Sequence, residues 1–301
     1  MIDRALSLII DKTMPWILAS RPKTLVLSVV PVSMGMAMAH GVAPIHWLSL
    51  ILCLSMALFV QVATNFTNDY CDFKKGADRA DRLGPMRVMQ AGLVESHAMR
   101  RAIVIVFALT LVCGVGMVPR GGLVMLAICV MSVLSGALYT AGPYPLAYTG
   151  LADVFVILFF GPVAVVGTYY MQTLTVSEPI ILMGFAPGLL AIGNLTINNL
   201  RDIEGDARCG KRTLAVRFGK RFARVEYTLS LFLPCLFPFI LYAMYGYSAK
   251  ILLPSLTFIF AIPVLRHVWS GIEGAKLNSV FAETAKLVLC YALLFCLAWL
   301  I

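Results

Sequence analysis

Long apolar segments alternate with short polar ones along most of the chain. Nine apolar runs stand out, at residues 24–41, 46–66, 101–118, 121–139, 151–172, 179–199, 225–245, 251–266 and 284–301. A helix needs about 20 mostly apolar residues to cross a bilayer, and only helices or closed barrels satisfy the backbone in lipid. The pattern therefore predicts an all-α, polytopic integral membrane protein. We expect about nine transmembrane helices in one domain spanning residues 1–301.

Composition supports a lipid environment. Of the 301 residues, 60% are hydrophobic and 13% charged, whereas a soluble domain carries about 25% charged residues. The first 23 residues mix charged and apolar positions, which predicts an amphipathic helix on the membrane surface.

The basic residues indicate how the chain is oriented. All Lys and Arg except Arg120 and Lys250 fall in segments on one predicted side: 1–23, 67–101, 200–224 and 266–286, around the connection between the last two runs. By the positive-inside rule, the N-terminus and the segments 67–100 and 200–224 face the cytoplasm. We expect the protein to lie in the inner membrane. The net charge of +9 also favours anionic membrane lipids. Nothing in the sequence indicates a nucleic-acid partner.

Acidic residues share this side, which orientation alone does not require. Two clusters carry the candidate chemistry, each at the end of an apolar run. The first contains Asn65, Asn68, Asp69 and Asp72, and the second contains Asn198, Asp202 and Asp206. Spacings of three and four residues place each set on one helix face if the helices continue past the membrane.

Carboxylates stacked on one face repel each other unless a cation lies between them. Mg²⁺ is usually held by one or two carboxylates together with substrate phosphates. Basic residues follow both clusters, including Lys74 and Arg87 after the first and Lys211 after the second. Mg²⁺ with Lys and Arg is a typical arrangement for binding a diphosphate and stabilising its departing charge.

Two other classes of protein compete with this interpretation. A polar helix end is often only a solvated cap or an interfacial anchor, as in a structural scaffold; a scaffold leaves the doubled clusters unexplained. A cation transporter is expected to carry acids near the middle of the membrane. No apolar run here has an acid at its centre.

The clusters resemble the paired Asp-rich motifs of the UbiA-type intramembrane aromatic prenyltransferases. Asn68, Asp69 and Asp72 match N-D-x-x-D-x-x-x-D, in which Gly76 replaces the last Asp. Asp202 and Asp206 match D-x-x-x-D. The resemblance implies the nine-helix UbiA-type fold.

One branch of that family is more similar than the others. The form N-D-Y-x-D-x-x-x-G-x-D at 68–78 and G-P-x-R-V at 84–88 resembles the branch that acts on dihydroxynaphthoate in menaquinone synthesis. Similar segments occur at 21–24, 139–143, 159–161, 198–202 and 210–217.

The resemblance implies Mg²⁺-dependent transfer of a polyprenyl chain from its diphosphate to 1,4-dihydroxy-2-naphthoate. Loss of the carboxyl group then gives demethylmenaquinone. The implied Mg²⁺ ligands are Asp69, Asp72, Asp202, Asp206 and Asn68, and Lys211 and Arg87 would neutralise the leaving diphosphate. The implied substrate-binding residues are Asn65, Asn68, Lys74, Asn198, Arg201, Tyr139, Arg21 and Lys23.

Several alternatives stay open within this interpretation. Arg21 and Lys23 are either ligands of the aromatic carboxylate or topology anchors, and Asp78 is a candidate substitute for the acid missing at Gly76. Other acceptors used in the family are another dihydroxynaphthoate, 4-hydroxybenzoate, homogentisate and haem. Gly76 and the segment 84–88 argue against the last three.

Overall fold

The computed structural model describes residues 12–76 and 83–301. Within those ranges the regular structure is helical and contains no strand. The α-helices are α1 (Pro22–Ala39), α2 (Trp47–Lys74), α3 (Ser96–Leu138), α4 (Leu146–Thr149), α5 (Ala152–Leu158), α6 (Ala164–Thr173), α7 (Glu178–Arg208), α8 (Leu214–Phe232), α9 (Phe237–Tyr245), α10 (Thr257–Trp269) and α11 (Leu277–Leu300). A π-helix, Phe159–Val163, joins α5 to α6, and 3₁₀ turns lie at Leu233–Cys235, Ala249–Leu256 and Gly274–Lys276.

The described ranges contain eight elements long and apolar enough to cross a membrane. This confirms the predicted all-α membrane fold, whereas the count of nine spans is not confirmed. One element, α3, has 43 residues, about 65 Å of helix against a hydrocarbon thickness of about 30 Å. It is interrupted at Gly122, and the Sγ of Cys129 lies 3.2 Å from the carbonyl oxygen of Thr110. α3 therefore folds back on itself and covers two of the predicted runs.

α7 is the central helix. Its apolar portion is 72% buried, compared with 17% for that of α2. It contacts α1, α5, α6, α8 and α11. Because α7 also carries the second polar cluster, its packing determines where that cluster lies.

The π-helix bends the element that faces α7. Gly161 has a non-helical backbone, and Pro162 has no N–H to donate. Such single-turn π segments are frequent at functional sites. α7 approaches this bend so closely that a Cβ at Gly188 would lie 2.3 Å from the carbonyl oxygen of Ile157. Only glycine fits there without a shift of one helix.

Both acidic clusters lie on helices that continue into the segments 67–100 and 200–224, where the sequence predicted cytoplasmic connections. α2 continues to Lys74, and α7 continues to Arg208. The acids therefore sit on rigid extensions of membrane helices, with the stacking that their spacing predicts.

The amphipathic segment predicted at 1–23 lies partly outside the described residues. Residues 12–20 are helical. Ala19 is buried in a cluster with Val88 and Met89, and the ring of Trp16 lies 5.7 Å from that of Phe66. This helix packs against the end of α2.

Candidate active site

A cavity of about 660 Å³ lies between α7 and the helices around it. Most of its wall is apolar and comes from α1, α2, α3, α5, the π-helix and α6. One end is polar and contains nearly all of the predicted site residues. They are the acids Asp69, Asp72, Asp202 and Asp206, the cations Arg21, Lys23, Arg87, Arg201 and Lys211, the amides Asn65, Asn68 and Asn198, and Tyr139.

Asp72 connects the two halves of the site. Its carboxylate is fully buried. Oδ2 accepts a hydrogen bond from the Nζ of Lys211 at 3.1 Å and lies 3.6 Å from Nη2 of Arg87, while Oδ1 accepts one from the hydroxyl of Tyr148 at 3.1 Å. One carboxylate thus joins α2 to the segment after α7 and to α4.

Asn68 is the acceptor for two guanidinium groups. Its Oδ1 accepts from Nη2 of Arg87 at 2.7 Å and from Nη2 of Arg21 at 3.0 Å. Arg87 is held in place by the next two residues, Val88 and Met89, which are buried against the end of α2. Two cations therefore converge on the first cluster.

The other members of the first cluster are also held by hydrogen bonds. The buried Asp69 accepts a bond through Oδ2 from the amide of Val88 at 3.3 Å. Asn65 donates through Nδ2 to the carbonyl of Ser20 at 2.8 Å and to the hydroxyl of Thr24 at 3.1 Å. Asn65 therefore fixes the start of α1 against α2 while it lines the cavity.

The second cluster is organised around Arg201. This buried guanidinium makes a bidentate pair with Asp202, at 2.8 and 2.6 Å, and donates to Oδ1 of Asn278 at 2.9 Å. Asn278 in turn donates to the carbonyl of Leu83. Such planar, charge-assisted pairs have little geometric freedom, so Asp202 is held in position at the cavity.

Lys211 reaches Asp72 because of how α7 ends. Its backbone amide donates to the carbonyl of Asp206 at 2.9 Å, and the amide of Arg212 donates to the carbonyl of Tyr148 at 3.1 Å.

Tyr148 lies between two cations. The ammonium of Lys211 lies 5.0 Å from the centre of the Tyr148 ring, and that of Lys75 lies 4.4 Å from it. Burial, followed by the charge of Asp72, raises the pKa of Tyr148 above its usual value. The phenol therefore stays protonated and can donate to Asp72.

Lys74 and Tyr139 differ in their position relative to the cavity. Lys74 is exposed, lies near the ring of Tyr70, and is not part of the cavity wall, so its position does not support a substrate contact. Tyr139 does line the cavity, and burial raises the pKa of its phenol.

Gly76 departs from the family motif for a structural reason. α2 ends at Lys74, and Gly76 has a positive φ of 65°, the conformation that commonly terminates a helix at glycine. A carboxylate at this position would be off the helix face that carries Asp69 and Asp72. Asp78, the proposed substitute, lies outside the described residues.

The candidate metal ligands are divided between two helices. Within residues 12–76 and 83–301, no group of three or more His, Cys, Asp and Glu side chains is close enough to hold a metal ion. Two acids come from α2 and two from α7, all on the wall of one cavity. This fits Mg²⁺, which is typically bound by one or two carboxylates with substrate phosphates supplying other ligands.

The sequence did not identify three polar residues of the site as functional: Tyr148, Asn278 and Asn194. Tyr148 and Asn278 are far from both clusters along the chain and carry no recognisable spacing. Asn194 begins the second polar segment, four residues before Asn198 on α7, but its place inside the apolar run 179–199 did not indicate a role.

Known proteins resemble the chain over nearly its whole length. A sequence model described as the UbiA prenyltransferase family matches residues 28–289. A protein of Haemophilus influenzae named 1,4-dihydroxy-2-naphthoate octaprenyltransferase is 33% identical over 99% of both chains. The Escherichia coli protein of the same name is 35% identical over 96% of both.

Solved structures show the same fold. A UbiA homolog from Archaeoglobus fulgidus, bound to DMAPP and Mg²⁺, has a TM-score of 0.67 at 15% identity and covers 93% of this chain and 98% of its own. The motifs, the helical fold and the extent of the sequence match agree. The chain therefore belongs to the UbiA prenyltransferase family.

Proposed function

We propose that this prenyltransferase moves a polyprenyl chain from its diphosphate to 1,4-dihydroxy-2-naphthoate, giving the reduced, quinol form of demethylmenaquinone. The acceptor is supported by the names of the Haemophilus influenzae and Escherichia coli relatives. Both are more than 30% identical over nearly the full chain. The Gly76 form of the first motif and the segment 84–88 support the same branch.

One observation carries the proposal. Two acidic clusters, about 130 residues apart in sequence, lie with five cations at one end of a mostly apolar cavity. A prenyl diphosphate has the same division, with a highly charged head and a hydrocarbon tail. The head would bind at the polar end while the tail occupies the apolar wall.

The metal is proposed to bind between the two clusters. Asp69, Asp72, Asp202 and Asp206 would hold Mg²⁺, with help from Asn68. When bound, Mg²⁺ offsets the negative charge that develops on the departing diphosphate.

The cations at the polar end would complete the binding of the head group. Lys211 and Arg87 already face Asp72 and would neutralise the diphosphate oxygens as the C–O bond breaks. Arg201 and Asn198 would contact the diphosphate from α7. Such preorganised donors are worth most where water is excluded.

The transfer itself needs an electron-rich ring and a dry cavity. The C–O bond of the prenyl diphosphate breaks with its electron pair going to the diphosphate, leaving an allylic cation. The ring carbon that bears the carboxylate attacks this cation, and the carboxylate leaves as CO₂ while its bonding pair restores the aromatic ring. Tyr139 presents an aromatic face to the cation, and Arg21 and Lys23 would bind the acceptor carboxylate.

We further propose an inner-membrane location with the N-terminus and the site at the cytoplasmic face. The distribution of Lys and Arg supports this orientation. Membrane lipids are the expected surroundings, with no nucleic-acid partner.

The test is product formation by purified protein in detergent. Octaprenyl diphosphate is supplied with 1,4-dihydroxy-2-naphthoate, another dihydroxynaphthoate, 4-hydroxybenzoate or homogentisate, with and without Mg²⁺, and products are identified by mass spectrometry. We expect a Mg²⁺-dependent product with loss of CO₂ from 1,4-dihydroxy-2-naphthoate alone. Preference for another acceptor would overturn the proposed substrate and leave the family assignment intact.

A further inference from the structure

Asn194 lies on the face of α7 that carries the second cluster. It precedes Asn198 by four residues and Asp202 by eight, and all three line the cavity. Eight residues of α-helix span about 12 Å. Asn194 is therefore deeper in the cavity than the acids, toward the middle of the membrane.

The amide of Asn194 is buried without a partner. The residue is 2% exposed, and neither Oδ1 nor Nδ2 has a hydrogen-bond partner in the described part of the chain. Buried polar side chains are almost always paired, because an unpaired one loses its hydration without compensation. Two of the other cavity amides, Asn65 and Asn68, make hydrogen bonds to the protein. Asn194 thus has the properties of a ligand-binding group.

The other residues of the cavity wall limit the chemical class of ligand that Asn194 can bind. Ala191 and Leu195 on α7 and Phe159 and Phe160 on the π-helix line the same cavity. A diphosphate would be bound by the acids and cations about 12 Å away along α7, and a prenyl chain has no group that hydrogen-bonds. A neutral hydroxyl is a suitable partner, because an amide can donate to it and accept from it at once.

We propose that Asn194 binds a ring hydroxyl of the aromatic acceptor and thereby orients the ring for attack. The inference rests on the proposed function, since it requires a hydroxylated aromatic substrate. With the acceptor carboxylate at the cationic end, a hydroxyl is the group that extends toward Asn194. Asn194 is thus a specificity-determining residue for the acceptor and leaves recognition of the diphosphate to the acids.

The first test separates the two substrates. Asn194→Leu keeps the branched shape and the number of heavy atoms and removes both polar atoms. We expect the KM for 1,4-dihydroxy-2-naphthoate to rise about tenfold, the effect of losing one buried hydrogen bond, while the KM for octaprenyl diphosphate stays within twofold. As a competitive inhibitor, 2-naphthoate, which lacks both hydroxyls, should have the same Ki against both proteins.

Stability measurements distinguish binding from a structural role. Because Asn194 has no partner in the protein, Asn194→Leu should leave the Tm of the ligand-free protein unchanged or raise it. Thr257→Val is the matched control, since it replaces another buried, unpartnered polar group outside the cavity. It should leave both KM values and the Ki unchanged.

Three results would overturn the inference. An unchanged acceptor KM in Asn194→Leu would exclude a contact with the ring hydroxyl. A rise of both KM values together with a lower Tm would show a structural role. Absence of naphthoate turnover by the wild-type protein would remove the proposed function and the inference with it, and that failure is recognised before any variant is made.

Discussion

At the scale of single residues, the site depends on a few buried contacts between groups distant in sequence. Asp72 has three of them, to Lys211, Arg87 and Tyr148. Spacing in the sequence identified Asp72 and Lys211, because charged residues at helix ends form a visible pattern. It did not identify Tyr148, because a tyrosine in a short connecting helix has no periodicity to distinguish it from an interfacial anchor.

Replacing Lys211 should impair the chemical step. Lys211→Gln removes a cation that faces Asp72 at the cavity, and loss of one such electrostatic donor typically costs about 100-fold or more in kcat. The matched control is Lys74→Gln, which removes the same charge from an exposed position outside the cavity. It should retain kcat within about twofold, in steady-state assays of diphosphate release. An equal loss of kcat in the two variants would contradict this role, because it would show that kcat depends on the total positive charge and not on the contact of Lys211 with Asp72.

The phenol of Tyr148 should contribute as a neutral donor. Tyr148→Phe keeps the ring beside Lys75 and Lys211 but removes the hydrogen bond to Asp72, so we expect kcat/KM to fall about three- to tenfold.

The pH dependence of kcat/KM in the wild type and in Tyr148→Phe tests whether the Tyr148 phenol stays protonated. Its folded-state pKa is raised above the ordinary value of 10. The hydrogen bond is therefore fully present below pH 10 and is lost only as the pH rises through the raised value. Wild type and Tyr148→Phe should thus show parallel profiles of kcat/KM up to pH 10. A wild-type advantage that disappears between pH 7 and 9 would contradict this account.

At the scale of helices, the second cluster depends on how α7 packs. The apolar runs predicted where helices would lie, and the spacing of the acids predicted their common face. The hydrophobic pattern predicted neither the π-helix at Phe159–Val163 nor the close approach of the helices at Gly188. These features come from tertiary packing, which hydrophobic periodicity does not encode.

The contact at Gly188 makes a specific prediction. Gly188→Ala places a Cβ 2.3 Å from the carbonyl oxygen of Ile157 and should lower stability by about 1–3 kcal/mol, as overpacking typically does. Gly205→Ala, on the same helix, has open space around the new Cβ. It should raise stability slightly, by up to about 1 kcal/mol, because alanine favours a helix. Thermal unfolding in detergent measures both, and a neutral Gly188→Ala would contradict the packing described here.

At the scale of the whole molecule, the fold brings two distant segments together at one end of the membrane domain. Lys211 and Asp72 are 139 residues apart and in contact at 3.1 Å. Charge distribution predicted that both clusters lie on one side, since topology follows from counting Lys and Arg. It could not predict that they share one cavity, because that depends on how α2 packs relative to α7.

The orientation across the membrane is testable by labelling. Tyr144 is exposed near the polar end, and Thr175 is exposed at the opposite end. Tyr144→Cys and Thr175→Cys would be made separately in a chain whose eight native cysteines are replaced. With a membrane-impermeant maleimide, we expect the cysteine at 175 to react in intact cells and the one at 144 only in inverted vesicles. The reverse pattern would place the site on the outer face.

The central claim is that both acidic clusters act on one diphosphate. It is tested most directly by diphosphate release from wild type, Asp72→Asn, Asp202→Asn and the double variant, each checked for a monodisperse folded state. Residues that act as a unit give strongly non-additive effects. We predict that each single substitution lowers kcat by about 100-fold or more and that the double variant is at most a few fold slower than the worse single one. A shared site would be contradicted if the loss of kcat in the double variant equalled the product of the two single losses. It would also be contradicted if Asp202→Asn kept the wild-type kcat.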